Sequence, residues 1–261
     1  MSENQNPAAM EMRGVNVGAM RDMGFTVLED VNWSVAPGEF WVVAGQQHSG
    51  KSDLLMMAAG LMPPVKGSYK FFGNETEMLD ETRLAERLRL GFVFETGQLF
   101  NHVTIAENIA LPLQYHRDLP RDAAVQNTQS LLELMELTPL AEVTSADVGG
   151  NWLKRAALAR ALAMKPEMLL LDNPLGGLDA GHTRWWLRFL DGLWRGHEWF
   201  DGKPMTIVAT TDDLRPWRNP QRKFALLNEK RFSPLGSWRE VESANETVVK
   251  ELLAVPVELT P

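Results

Sequence analysis

Residues 45–52 read Gly45-Gln46-Gln47-His48-Ser49-Gly50-Lys51-Ser52. The spacing is G-x-x-x-x-G-K-[ST], that of a loop that grips phosphate. Glycines let such a loop curl until its N–H groups point inward at phosphate oxygens, and a helix opening there adds partial positive charge. Lys51 is then placed to neutralise β- and γ-phosphate charge, and the Ser52 hydroxyl to hold Mg²⁺. A second ligand for the cation is expected from a carboxylate at the end of a buried strand. Leu169-Leu170-Leu171-Asp172 supplies one. Alone, an apolar run ending in Asp is a strand meeting a turn; beside the loop it becomes a Walker B candidate.

These residues need elements to hold them. Phe40-Trp41-Val42-Val43-Ala44 is a short, β-rich apolar run that ends at a glycine, as a buried strand does. Residues 51–62 have helical composition and stop at Pro63-Pro64. Strand, glycine loop, helix is the order that a phosphate loop requires. Upstream, 25–43 read as strands around the turn Ala36-Pro37-Gly38-Glu39. About residues 100–165 are mostly helical, with apolar residues at helical spacing over 128–136 and an Ala/Leu/Arg helix over 153–164 before Pro166. Residues 168–171 and 205–209 are short apolar strands, and a last helix is expected near 246–253. Strands alternating with helices imply an α/β layered core with a helical insertion. The expected boundaries are a loose tail over 1–12, one domain over 13–253 and a tail over 254–261.

Bulk properties narrow the function. The 261 residues are 44% hydrophobic, enough for one buried core. The formal net charge of −8 argues against a nucleic-acid partner. With no cysteine there is no disulfide framework and no thiolate metal site. No stretch approaches the roughly 18 apolar residues of a membrane span, and 1–13 lack the pattern of a signal peptide. A membrane role would come through a partner that supplies the spanning helices. The five histidines show no metal-ligand spacing; of the nine tryptophans, Trp185, Trp186, Trp194 and Trp199 are expected to pack inside the domain, with a partner surface as the alternative.

Several further segments, taken in order, resemble the ATP-binding cassette family. Gly91-Phe92-Val93-Phe94-Glu95, Leu99-Phe100 and 104–109 are similar to its Q-loop region. Gly149-Gly150, followed by 154–162, resembles its signature motif and helix. Leu171-Asp172-Asn173-Pro174 and Gly177-Leu178-Asp179 resemble Walker B and the D-loop, and Thr210-Thr211-Asp212 falls where the switch-histidine motif is expected. The resemblance spans about 13–253. It implies a P-loop NTPase with a RecA-like α/β core, an antiparallel β subdomain and a helical subdomain over about 100–165. It also implies ATP and Mg²⁺ as cofactors, a transmembrane permease subunit, and a second cassette in a homo- or heterodimer. The implied location is cytoplasmic, on the inner face of the plasma membrane. Residues 106–113 are similar to importers and to lipid-trafficking systems of the maintenance-of-lipid-asymmetry type.

Departures from the family's pattern cluster at catalytic positions. The glutamate expected after Asp172 is Asn173, and the switch histidine is Thr211. An amide cannot accept a proton, so a general-base contribution of about 10² to 10⁴ in rate is lost. The Q-loop glutamine is Glu95, placed to join Ser52 and Asp172 as a metal ligand, to repel the nucleotide, or to replace the missing base. The signature serine is Val148, ahead of Gly149-Gly150-Asn151. Asp53, where the family has Ser or Thr, is expected to set a carboxylate near the α-phosphate, at a cost of about 1 to 4 kcal/mol for like charges about 4 Å apart. The adenine-stacking aromatic is sought among Met20, Met23 and Phe25. Lys154, Arg155 and Arg160 are expected on a solvated or domain-facing surface. The resulting expectation is a transporter ATP-binding subunit with weak or absent hydrolysis at its own site. The alternative is a non-hydrolysing regulatory module that keeps the fold.

Overall fold

The structure is a computed structural model that describes residues 7–75 and 84–254; the side chain of Met23 also lies outside the description. Two compact units divide the chain, one formed by 1–79 with 208–261 and the other by 80–207.

The first unit opens with β1 (Met10–Ala19) and β2 (Asp22–Val35), followed by β3 (Phe40–Gly45), α1 (Lys51–Ala58), β4 (Lys66–Phe71) and β5 (Asn74–Glu75). An antiparallel sheet runs in the order β2-β1-β4-β5. The expected loose tail over 1–12 needs correction. Met10 and Met12 are buried strand residues, paired with Val35 and Trp33 on one side and with Phe71 and Tyr69 on the other. Two methionines alternating around a glutamate carry a strand pattern that the polar residues before them obscure. Residues 1–6 and 255–261 of the expected tails lie outside the described residues. The β1–β4 contact is unusually close at one point: a Cβ on Gly67 would sit 2.4 Å from the carbonyl oxygen of Gly14.

Helix α1 stops at Ala58 rather than running to 62. Gly60 takes φ +68. Its N–H bonds the Met57 carbonyl, and the Leu61 N–H reaches back to Met56, which closes the helix in a Schellman turn four residues before the prolines.

The second unit holds α2 (Leu84–Arg87), β6 (Leu90–Val93), α3 (Ile105–Arg117), α4 (Arg121–Asn127), α5 (Gln129–Leu134), α6 (Gly150–Leu162), β7 (Met168–Leu171) and α7 (Ala180–Arg195). Strands β6 and β7 are parallel, in register from Leu90↔Met168 to Val93↔Leu171. Between them the chain is helical. Thr104 and Glu107 form a capping box that starts α3. The buried Asn108 amide ties the preceding loop to α3 through the Phe100 backbone and the Thr104 carbonyl. Trp185 and Trp186 are buried on α7.

Strand β8 (Thr206–Thr211) carries the chain back to the first unit, which ends with β9 (Lys223–Asn228), β10 (Arg231–Gly236), α8 (Trp238–Ser243) and α9 (Thr247–Leu253). Strand β9 is parallel to β3, from Trp41↔Lys223 to Gly45↔Leu227, and β10 pairs antiparallel with β9. Every residue of β3 is buried, which suits a parallel strand covered on both faces. Among the described residues no helix is long and apolar enough to cross a membrane.

Candidate nucleotide site

In the first unit, β3 delivers the chain to a loop that folds back on its own start. A Cβ on Gly45 would meet the Ser49 hydroxyl at 2.4 Å, so only glycine fits there. Gly50 has φ +90 and leads directly into α1. His48 also lies in the left-handed region, with φ +63, and its side chain is exposed, so the loop curls without enclosing the imidazole. Gln46 and Gln47 are exposed, as is Ser52 in the first turn of α1. The Ser49 N–H bonds the Gln46 carbonyl at 3.3 Å. Lys51 reaches across the loop and donates from Nζ to the carbonyls of Gly45 at 2.6 Å and Gln46 at 2.7 Å. The Ser49 hydroxyl is buried with no hydrogen-bond partner among the described residues.

An orphaned hydroxyl, an ammonium and the start of a helix come together in this loop. That donor set fits a phosphate chain. One flank of the loop is fastened to α9, where Gln46 donates to Glu251 at 2.6 Å. The other flank shows something that the sequence did not. Asp53, expected to face the α-phosphate, accepts from the Met20 N–H at 2.8 Å and so anchors the β1–β2 turn to α1. Met20 and Phe25 are both exposed, and the Lys230 ammonium lies 5.1 Å from the Phe25 ring centre.

In the second unit, β7 ends at the buried Asp172, whose N–H bonds the Val93 carbonyl. Asn173 follows with φ +40 and only 8% exposure. Its amide donates to Glu95 Oε1 at 2.7 Å. Gly176 packs beneath that amide, since a Cβ there would stand 2.6 Å from Asn173 Nδ2. Lys154 donates to the carbonyls of Asn173 and Gly176 at 3.2 and 2.6 Å. Thus Lys154, half-buried, turns inward and braces the turn after β7. Arg155 is buried, paired with Glu136 at 2.7 Å and 3.9 Å from the Trp185 ring centre. Arg160 donates to the Gly97 carbonyl at 3.1 Å, and burial pushes its guanidinium below the ordinary value. Long aliphatic stems let these three cations cross packed surface to reach acceptors.

At the start of α6, Val148 is buried and its N–H bonds Ser145, so its side chain serves packing. Gly149 caps the helix and Gly150 begins it; a Cβ on either would meet nothing within 4 Å. Asn151 donates to Asp179 at 2.7 Å. Asp179 caps α7 through the N–H groups of Gly181 and His182. The His182 backbone N–H, and then its ring, hold the Asp179 carboxyl below its usual range.

Thr211, back in the first unit, is buried. Its hydroxyl donates to the Asp213 carbonyl and accepts from the Asp213 N–H, closing a turn. Asp213 in turn grips Arg215 through both carboxylate oxygens. No periodicity in the sequence marks Asp213 or Arg215.

For the cation, Asp172 and Glu95 belong to the second unit and Ser52 to the first. Among the described residues no group of three His, Asp or Glu side chains is arranged to hold a metal ion. Mg²⁺ commonly relies on one or two carboxylates completed by substrate phosphates and water.

A family model described as ABC transporter matches residues 28–176. The chain belongs to the ABC transporter family. This cassette is 33% identical over 220 residues to the sulfate/thiosulfate import ATP-binding protein CysA of Nephroselmis olivacea, a match covering 83% of the chain and 60% of that protein. It is 34% identical over 226 residues to CysA of Caulobacter vibrioides, covering 85% and 64%. The cassette therefore spans about three fifths of the length of these curated relatives. Among solved structures, the dimeric ATP-binding cassette MJ0796 bound to ADP and Pi superposes with a TM-score of 0.73 at 27% identity, covering 85% of this chain and 95% of that one. The α/β cassette fold, with its antiparallel β and helical subdomains, is thereby shown.

Proposed function

We propose that this chain is the ATP-binding subunit of an ABC transporter, coupling nucleotide binding to a transmembrane permease subunit at the inner face of a membrane. A second cassette completes its sites. The observation that carries this reading is the loop of residues 45–52, where Lys51, the orphaned Ser49 hydroxyl and the start of α1 face one another across a turn that only glycine permits. When bound, MgATP supplies a phosphoanhydride whose γ-phosphoryl group water can attack. Lys51 and the helix start would bind the phosphates; Ser52 and Asp172 would hold Mg²⁺.

Hydrolysis at this chain's own site is weak or absent in this reading. Asn173 has no proton-accepting group, and the Thr211 hydroxyl is engaged with Asp213. The same two facts support a second reading, a non-hydrolysing regulatory module for which ATP is a structural ligand. The importer resemblance of residues 106–113 gains support from relatives whose names carry "import"; the lipid-trafficking resemblance rests on that segment alone.

Calorimetric titration of MgATP into wild type and Lys51→Ala tests the binding claim. Affinity should fall at least about tenfold in the variant, the loss of one charge-assisted contact. Equal affinities would make the loop vestigial. Phosphate release by the purified chain should stay near background, and brisk turnover from its own site would remove the claim of weak hydrolysis.

A further inference from the structure

The family resemblance places glutamine at 95 and glutamate at 173, and this chain has Glu95 and Asn173. Both positions have changed, and in opposite senses. The amide has become a carboxylate at one and the carboxylate an amide at the other. The structure brings the two side chains together, with Asn173 Nδ2 donating to Glu95 Oε1 at 2.7 Å. The contact has a topological basis. Strands β6 and β7 are parallel, Val93 is the register partner of Leu171, and residues 95 and 173 each stand two positions further on. The Asp172 N–H bonds the Val93 carbonyl, so the pairing continues past the strand ends.

We infer that Glu95 and Asn173 form one inverted amide–carboxylate pair, in which Glu95 positions Asn173 and blocks return of a carboxylate to residue 173. The inference rests on the reading of the chain as an ATP-binding cassette. Its physical basis is a count of donors. Carboxylates only accept, whereas amides both donate and accept. An amide facing a carboxylate is satisfied whichever residue carries which group. Two carboxylates in the same place offer acceptors alone, and their like charges repel. Asn173 also has little room to turn away. Gly176 underlies its amide, Lys154 holds its carbonyl, and its backbone sits at φ +40. Glu95 is exposed, so water can solvate its charge there. The change at 173 alone would therefore not be undone by restoring glutamate; position 95 must change with it.

A double-mutant cycle on the full chain tests this, using wild type, Asn173→Glu, Glu95→Gln and the double variant. Each is measured for melting temperature and for kcat and KM of MgATP hydrolysis. Asn173→Glu alone should lower the melting temperature and raise kcat less than about threefold. The double variant should recover most of the melting temperature. Its kcat should exceed that of Asn173→Glu at least about tenfold, part of the usual general-base contribution because Thr211 and Val148 are unchanged. KM should stay within about twofold, a split that mere repair of the fold would not produce. Additive melting shifts, or a double variant no faster than Asn173→Glu, would overturn the pairing. Failure of the proposed function looks different: wild type would not bind MgATP, or Lys51→Ala would bind it equally well, whatever the cycle shows.

Discussion

Asp53 shows how a single side chain acquires two roles that the sequence cannot separate. Its negative charge in the first turn of α1 suits the helix start, yet it would oppose a triphosphate bound at that helix start. Its Oδ1 also accepts from the Met20 N–H and holds the β1–β2 turn. Charge and hydrogen bond can be divided by experiment. Asp53→Asn keeps an oxygen acceptor and removes the charge, so MgATP affinity should rise about three- to tenfold, with the gain shrinking as salt screens the repulsion. Asp53→Ala removes both, so part of that gain should disappear as the turn loosens, with stability falling by about 1 kcal/mol. Equal affinities in the asparagine variant and wild type at low salt would show that the charge does not reach the phosphates. A gain in the alanine variant as large as in asparagine would show that the Met20 contact is irrelevant to binding.

At the scale of elements, β6 and β7 are aligned by a clamp just ahead of both. Arg89 Nε and Nη2 donate to the two oxygens of Glu167 at 2.7 and 2.9 Å. The hydrogen bond from Arg89 holds the Glu167 carboxyl below its ordinary range. A depressed carboxyl contributes stability above its unfolded value and loses it as pH falls through the folded value. Glu167→Gln should therefore cost up to about 1 kcal/mol at pH 7, discounted because the Glu167 side chain is 56% exposed. In denaturant titrations the gap from wild type should close below about pH 4.5; a constant gap from pH 7 to pH 3.5 would exclude the charge as its source. This clamp also marks the limit of sequence reading. The loop of 45–52, the strand before it and the run ending in Asp172 were legible because their chemistry is written in consecutive residues. The Arg89–Glu167, Asn173–Glu95 and Lys154–Gly176 contacts join residues far apart in the chain, and no local period carries them. The same limit explains why the bracing contacts of Lys154 were not legible, and why α1 ends where it does, at the conformation of Gly60 rather than at the prolines.

For the whole molecule the deciding quantity is charge. Each copy carries a formal −8, and two copies closing on nucleotide, as proposed, would bring those charges together with the phosphates. Self-repulsion therefore opposes a homodimer at low ionic strength and relaxes as the Debye length shrinks from about 10 Å at 0.1 M salt toward 3 Å at 1 M. The slow hydrolysis proposed for this site would act in the opposite direction, because a site that did not cleave ATP would keep the ligand proposed to join the copies. Sedimentation in MgATP should show a monomer near 0.05 M salt and a dimer growing as salt rises toward 0.5 M, stable for hours without conversion to ADP. Substituting Lys51→Ala should leave a monomer throughout. A wild-type chain that stays monomeric with MgATP at every salt concentration would eliminate the homodimer. The second cassette would then be a different chain whose less acidic surface offsets this one's charge, and turnover would be confined to sites in which that chain supplies the carboxylate missing at Asn173.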